Sequence, residues 1–550
     1  MVKAPALKEM AVVLILLNLL FLCSSCGPTG RQGTKGAEIP PEELPRTVAI
    51  LPFSNETASP EAASNVRRMF YNFFSSLNYR DQELFQVDTK LKEAGLYEQL
   101  LYGSAVDPKK LGMILGVDAV IFGEVTAYGK IYALLYSEVQ AGLKARMVDC
   151  RNGQVIWEDE YVSHMREGGV SISPLGLASN AARALINLRQ ETQMRAVSDL
   201  CMNLTASIPN PPRLFPPGPS IKVFVHNGAQ RLFLPHERVR VVLLGEPGCK
   251  ATWDILPIKR GLPMRERQPG IYVGEYRVKR SDRLAYGSLV AHLTNDAGQS
   301  RQWFDVLGPV AMGRPKGLPS TLKRDMVITK KDSPYLIRGA VVVPRGKRLT
   351  IEPGATVWID GMGIIVQGTI QVTAKRSEPA RFLAQKGTMW KGIILDNTKG
   401  ANRLAGMELS GAKCGIRAKG SKLSIADSII SNCNWGMVLE KSDVQVNRTI
   451  FKECEKAGIA AADSLLRISA STIQGNAGGG ILIKGGKVTL RKSNICNNSG
   501  WNIKVTGAAK VDAAQNWWGT TQKKELGIIG KAQIEPILKR AVRIYAEKAL

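Results

Sequence analysis

Gly415-Ile416, Gly436-Met437, Gly458-Ile459 and Gly480-Ile481 recur along one stretch of this chain, after Gly392-Ile393 and before a degenerate Asn502-Ile503. Successive pairs stand 23, 21, 22, 22 and 22 residues apart, and a fixed period in this range marks a solenoid. Eight residues after each glycine from Gly415 to Gly480 come Leu423, Val444, Leu466 and Val488. Ten after come Ile425, Val446, Ile468 and Leu490, and fifteen after come Ile430, Phe451, Ile473 and Ile495. Each unit therefore holds three short segments of alternating apolar residues, which is strand periodicity. Helical spacing is absent. Three strands per turn predict a parallel β-helix, with like-phased apolar residues stacked inside and neighbouring rungs bonded along the axis. Ser428, Thr449, Ser471 and Ser493 share a polar phase where hydroxyls can cap adjacent turns, and Cys433, Cys454, Asn476 and Asn498 share a corner.

The stretch resembles the right-handed parallel β-helix superfamily that includes pectate lyases and periplasmic repeat proteins. Gly339 to Gly346 and Leu349 to Gly354 look like its first rungs, as does Trp390-Lys391-Gly392-Ile393, and Asn516-Trp517-Trp518-Gly519 looks like its closing motif. The resemblance covers residues 321–538 and speaks to fold far more than to function.

The whole chain has 550 residues and a formal net charge of +27, too long for one core, so about three or four domains are expected. Residues 1–26 read as an export signal: Lys3 and Lys8 precede an apolar run, Met10 to Leu22, that is short for a membrane span. It ends in Leu22-Cys23-Ser24-Ser25-Cys26-Gly27. Small residues before a cysteine resemble a bacterial lipobox with Cys26 as the lipidated residue; bulky Leu22 makes Cys23 the poorer choice, and a plain secretory signal is the alternative. Each buried acyl CH₂ would contribute roughly 0.8 kcal/mol to membrane attachment. Glycine rather than aspartate after Cys26 implies, by that resemblance, the outer membrane and its periplasmic face. Residues 27–45, rich in Gly, Pro, Thr and Glu, form a tether.

Residues 46–208 read as an α+β domain. Val48 to Leu51 is a short apolar strand. Ser59 is placed to cap a helix that Pro60 opens, with Val66, Met69, Phe70, Phe73, Phe74 and Leu77 on one face. Asp107-Pro108 opens a second helix that Gly116 ends. Strands follow at Ala119 to Val125, Ile131 to Leu135 and Leu143 to Val148; Asn152-Gly153 turns the chain into Val155 to Tyr161, and Gly176 to Leu204 closes the domain as a helix. Val48 to Thr57, Leu115 to Val120, Tyr128-Gly129, and Ala145 to Asp149 with Gly153, Val155, Ile156 and Trp157 resemble the GNA1162 family of bacterial surface lipoproteins, related in fold to CsgG-like and TolB N-terminal domains. That resemblance implies an envelope location and an assembly context, with other envelope lipoproteins as partners.

Residues 209–219 are a proline-rich linker. Residues 220–308 carry strand runs at Ile221 to Val225, Val239 to Leu244, Ile271 to Val278, Ser288 to Thr294 and Gln302 to Val306, and an immunoglobulin-like β-sandwich is expected. Residues 309–320 read as a second linker and 539–550 as a basic tail.

Of nine cysteines, Cys23 leaves with the signal and Cys26 is lipidated, so seven scattered ones remain. Cys433 and Cys454 stand one rung apart, about 5 Å, where either stacked thiols or a disulfide fits. All four histidines, His164, His226, His236 and His292, precede the repeats. Outside Cys23-Ser24-Ser25-Cys26 in the export segment no Cys-x-x-Cys occurs, and no metal or cofactor is expected. Asp427, Glu440, Asp443, Asp463 and Asp512 share no phase, so no catalytic carboxylate pair stands out; Asp427 is placed to pair with Arg448. Lys391, Lys413, Arg417, Lys419 and Lys422 crowd the early turns, and Trp517 and Trp518 either stack on a sugar or close the solenoid. Export makes nucleic acid an unsuitable partner. Anionic polysaccharide, lipopolysaccharide or lipid headgroups suit the basic turns, unless these are simply a solvated face. The expectation is a lipid-anchored, non-enzymatic scaffold or binding protein of the bacterial envelope; the alternative is a polysaccharide lyase or epimerase built on the β-helix.

Overall fold

The computed structural model describes residues 32–35 and 39–542, apart from 58, 60, 102, 133–136, 167–187, 215, 230 and 386–387. The expected export segment with Cys26, most of the expected tether, the start of the expected closing helix and residues 543–550 lie outside the described residues.

The first domain is built on a seven-stranded sheet. Its order is Gln32–Lys35, Val155–Arg166, Ser137–Asp149, Ala119–Tyr132, Thr47–Ile50 and Arg80–Asp81, with Ser54–Asn55 also against Ala119–Tyr132. Thr47–Ile50 is buried on both faces because both are covered. Val48 and Ile50 face the helices Ala62–Phe74 and Leu188–Thr205, while Ala49 and Leu51 meet Val87, Leu91, Leu111 and Leu115 of Leu84–Glu93 and Pro108–Leu115. The latter helix begins and ends as its sequence dictates: the Asp107 carboxylate accepts from Lys109 N–H at 3.0 Å, and Gly116 takes a left-handed φ of 73°. Ser59 does not cap the first helix with its side chain. That helix starts at Ala62, Ser59 offers its backbone carbonyl to Ala62 N–H at 3.0 Å, and its hydroxyl is engaged elsewhere.

Two sheets follow and share one core, which includes Val225, Val241, Trp253, Leu289 and Leu293. One runs Arg265–Gln268, Ile271–Arg277, Arg238–Gly245, Ile221–His226; the other runs Lys259–Pro263, Lys250–Leu256, Arg283–Thr294, Val310–Gly313, Arg231–Phe233, with Ser300–Phe304 on Arg283–Thr294. The expected linker at 309–320 is not a free linker. Val310–Gly313 is a buried strand pairing with Arg283–Thr294 and Arg231–Phe233, and Lys316–Gly317 already pairs with Tyr335–Ile337 of the solenoid. The apolar run Val310-Ala311-Met312 is the physical reason: all three side chains are buried.

The solenoid has three faces. The Gly-Ile segments form the first, for example Ile393–Asp396, Cys414–Lys419 and Trp435–Glu440. Asn402–Ala405, Lys422–Ala426 and Asp443–Asn447 belong to the second. The third is a nine-stranded parallel sheet, about 40 Å long at the usual strand spacing. In later turns the first two faces join into single bent strands, Ala457–Ser469, Ile481–Arg491 and Ile503–Asp512. Corners repeat with the rungs. Asp427, Arg448, Ala470, Lys492 and Gln515 all have positive φ, and all but Arg448 are followed by a residue whose polar side chain reaches the preceding rung. Ser428 Oγ accepts from Met407 N–H, Ser471 Oγ from Thr449 N–H and Ser493 Oγ from Ser471 N–H, each at 3.1 Å. Asn516 Oδ1 closes the series on Ser493 N–H at 2.9 Å. A second ladder, Ser421, Ser442 and Ser464, was not foreseen in the sequence and runs along another corner. Asn476 and Asn498 stack at 2.8 Å. All seven described cysteines are free thiols. Burial raises the Cys433 thiol to about 12 and the Cys454 thiol well above its ordinary value, and both belong to the solenoid core, so these stacked sulfurs act as apolar core.

The third face is covered by the rest of the chain. Leu336 and Trp358 point out of the solenoid yet are buried, packed with Leu232 and Ala311 of the middle segment. Outward Ile429 and Ile450 are buried too. Three side-chain amides act as surrogate strand neighbours at the junctions, each offering one donor and one acceptor to a single residue's backbone. Asn72 holds Phe304 at 2.9 and 2.8 Å, Gln385 holds Leu232 at 2.8 and 3.1 Å, and Asn494 holds Val542 at 3.0 and 2.8 Å. Buried backbone groups need such partners.

Candidate functional site

With one face covered, the solenoid offers its other two to solvent. Residues 321–538 contain 33 Lys and Arg against 16 Asp and Glu, so the solenoid carries much of the chain's basic excess. Lys391, Lys413, Arg417, Lys419 and Lys422 are all exposed. The register does not line them up in one row. Lys419 stands between Asp396 and Glu440 on neighbouring rungs, Lys422 beside Asp443, and Arg417 between Ile394 and Val438. Lys391 and Lys413 follow the bridged pair Trp390 and Ala412 and so occupy one corner on consecutive rungs. Ion pairs occupy several of the acids: Arg448 binds Asp427 at 2.6 Å, as its spacing suggested, and Arg467 binds Asp443 at 2.7 Å. The tryptophans separate. Trp518 is 2% exposed and belongs to the core at the solenoid's end, so it offers no face to a sugar. Trp517 is half-buried.

Where the third face meets the first domain, Lys452 is buried. Its Nζ donates to Ser59 Oγ at 2.8 Å and pairs with Glu61 at 3.2 Å and Glu453 at 3.4 Å. Burial alone would lower the pKa of this ammonium, but the two carboxylates outweigh it and hold it above the ordinary lysine value. Ser59 thus spends its hydroxyl on the solenoid instead of its own helix.

A cleft of about 400 Å³ opens where the end of the Ala62–Phe74 helix, the proline-rich segment and the Ser300–Phe304 strand converge. Tyr71, Asn78, Asp81, Arg213, Leu214, His292, Arg301 and Gln302 are among its walls. Gln302 donates to the Tyr71 hydroxyl at 2.7 Å. Burial pushes the Asp81 carboxyl up, though its bond to Tyr71 and the field of Arg301 oppose this. Burial likewise lowers the Arg301 guanidinium, with Asp81 working the other way and Arg213 adding like-charge repulsion. Arg213 is steadied through Nε by Asn78 Oδ1 at 3.2 Å. Little in the sequence warns of this cleft, because its residues come from three separate segments, the first and last more than 200 positions apart. A signal for the covered face was present: Ile429-Ile430 and Ile450-Phe451 break strand alternation by placing an apolar side chain outward.

Comparison with known proteins agrees with this architecture. Residues 41–208 match the family described as "Putative lipoprotein GNA1162-like", and residues 363–517 match "Right handed beta helix region". "Putative lipoprotein NMB1124/NMB1162" of Neisseria meningitidis serogroup B is 32% identical over 146 residues, which cover 26% of this chain and 66% of that relative. The crystal structure of lipoprotein GNA1162 from Neisseria meningitidis is similar over 23% of this chain and 88% of its own, at 27% identity and a TM-score of 0.22. The PelC dodecamer from Paraburkholderia phytofirmans is similar over 32% of this chain and 96% of its own, at 12% identity and a TM-score of 0.19; scores this low carry no functional argument. The chain therefore joins a GNA1162-like lipoprotein domain, residues 41–208, to a right-handed β-helix region.

Proposed function

We propose that this chain is a lipid-anchored protein of the bacterial envelope, held at the periplasmic face of the outer membrane through Cys26, that scaffolds and binds anionic glycan without turning it over. The observation that carries the reading is the division of labour on the solenoid. One face is consumed by packing onto the first two segments, while the solenoid as a whole carries twice as many basic as acidic residues and leaves its other two faces open. Such a surface attracts a polyanion over a long, rigid span. The interleaved acids favour an extended, low-density polyanion such as an acidic polysaccharide over a densely charged one. In this reading the middle two-sheet segment is an immunoglobulin-like spacer, and the first domain faces the membrane and other envelope lipoproteins.

Retention of the full chain on immobilised polygalacturonate, at low and high salt, tests the reading, with released sugars monitored. Salt-sensitive retention without turnover supports it. Unsaturated or epimerised products would replace it with a polysaccharide lyase or epimerase.

A further inference from the structure

We propose that the cleft between the first domain, the proline-rich segment and the Ser300–Phe304 strand is a binding site for a small, singly charged, hydroxyl-rich carboxylate of the hexuronate class. It is separate from the basic faces of the solenoid and does not rest on their role.

Asp81 and Glu83 balance Arg213 and Arg301 in number within the cleft, but neither guanidinium group is held in an ion pair there. Among the described residues no carboxylate lies within ion-pair distance of Arg301, whose guanidinium lines the cleft. Arg213 uses Nε on the neutral Asn78 amide, which aims the fork without neutralising it. Two guanidinium groups that repel each other in one partly dehydrated space gain from a shared anion, and their planar forks fit a carboxylate.

The rest of the lining sets the size of that charge. Asp81 and Glu83 also border the cleft, so a doubly charged phosphate would meet two carboxylates as well as two guanidinium groups. A single negative charge fits better. The Asp81 carboxylate lines the cleft beside Tyr71, and a carboxylate so placed accepts readily from sugar hydroxyls. Gln302 commits its amide nitrogen to Tyr71 and keeps its carbonyl oxygen as an acceptor. The hydroxyls of Ser75 and Ser76 donate to Asn72 and Phe73 carbonyls, which leaves their lone pairs to receive a ligand hydroxyl. Leu214, 63% exposed at the rim, supplies an apolar patch for the C–H face of a ring. A volume of about 400 Å³ lies at the small end of ligand pockets, which suits one sugar unit and not a chain.

The test is titration calorimetry on the full chain in detergent, with D-galacturonate, D-galactose and inorganic phosphate as separate probes. Galacturonate is expected to bind saturably at one site, and galactose about tenfold or more weakly because it lacks the group the forks grip. Arg301→Gln should remove the galacturonate signal. Arg301→Lys, which keeps the charge and loses the fork, should weaken it by about tenfold; unchanged far-UV circular dichroism shows that both variants fold. Neutralising Lys391 and Lys413 should leave this binding unchanged even where it abolishes retention on the polymer. Absent galacturonate binding, phosphate binding tighter than galacturonate, equal binding of galactose, or full binding by folded Arg301→Gln would each overturn the proposal.

Discussion

Gln385→Met isolates the contact that fixes the solenoid to the middle segment. Gln385 is 3% exposed and Leu232 is fully buried. The glutamine Nε2 donates to Leu232 C=O at 2.8 Å, and its Oε1 accepts from Leu232 N–H at 3.1 Å. Methionine nearly preserves volume, so packing changes little. Two backbone groups are left buried without partners, at roughly 1–3 kcal/mol each. The expected local cost is therefore about 2–5 kcal/mol once some relaxation is allowed. A chain with several domains has no single unfolding equilibrium, so the measurement should be local: hydrogen exchange of the Leu232 amide. At about 1.4 kcal/mol per factor of ten, exchange should quicken by roughly 30-fold to several thousand-fold. Amides of the distant Asn447 and Ser469 rungs should be unaffected. If Leu232 exchange changes by less than about threefold, the amide does not hold the junction and the covered-face reasoning fails there.

Other consequences are equally direct. Glu61→Gln with Glu453→Gln leaves the Lys452 ammonium buried without a counter-charge and should cost about 3–5 kcal/mol; Lys452→Met should cost less, since both carboxylates reach solvent, and urea titrations of the two variants compare them. The Lys452 pKa is raised in the fold, so its contribution is fully present below the ordinary lysine pKa and is lost only as pH rises through the folded value. Asp118 behaves oppositely. Burial would raise its carboxyl, but Thr47 N–H, Thr47 Oγ and Arg46 N–H outweigh that and hold it low. Its contribution is present above the unfolded pKa of about 3.9 and lost as pH falls through the folded value, so the gap between wild type and Asp118→Asn should close at acid pH in thermal melts. Ala470→Gly, at a φ of 45°, should raise the solenoid's denaturant midpoint by about 0.5–1 kcal/mol equivalent, because alanine is strained there. A thiol reagent should modify Cys249 in the native chain, while the six buried thiols from Cys150 to Cys496 react only on unfolding.

The solenoid was legible because its information is local and repeated. Inward Leu423, Val444, Leu466 and Val488 sit one rung apart and occupy equivalent places in the core. The Asp107 and Gly116 helix signals worked for the same reason: a cap is decided within one turn. Ser59 misled because a long-range partner, Lys452, competed for the same hydroxyl and won. Val310 to Met312 looked like linker because prolines and glycines surround it, whereas sheet closure depends on strands Arg231–Phe233 and Arg283–Thr294 far along the chain. Basic residues could be counted in the sequence, but their rung-to-rung acidic neighbours could not be placed until the register was known. Trp517 and Trp518 show the limit of a motif: adjacent residues alternate, so one is core and the other half-buried.

The most direct measurement is the salt dependence of full-chain retention on polygalacturonate, compared with a variant carrying Lys391→Gln, Lys413→Gln, Arg417→Gln, Lys419→Gln and Lys422→Gln. All five side chains are exposed, so the variant should fold normally. The account predicts retention that weakens steeply with salt in the parent and a shallower, weaker dependence in the variant, with no sugar products from either. Equal retention of parent and variant at every salt concentration would contradict it.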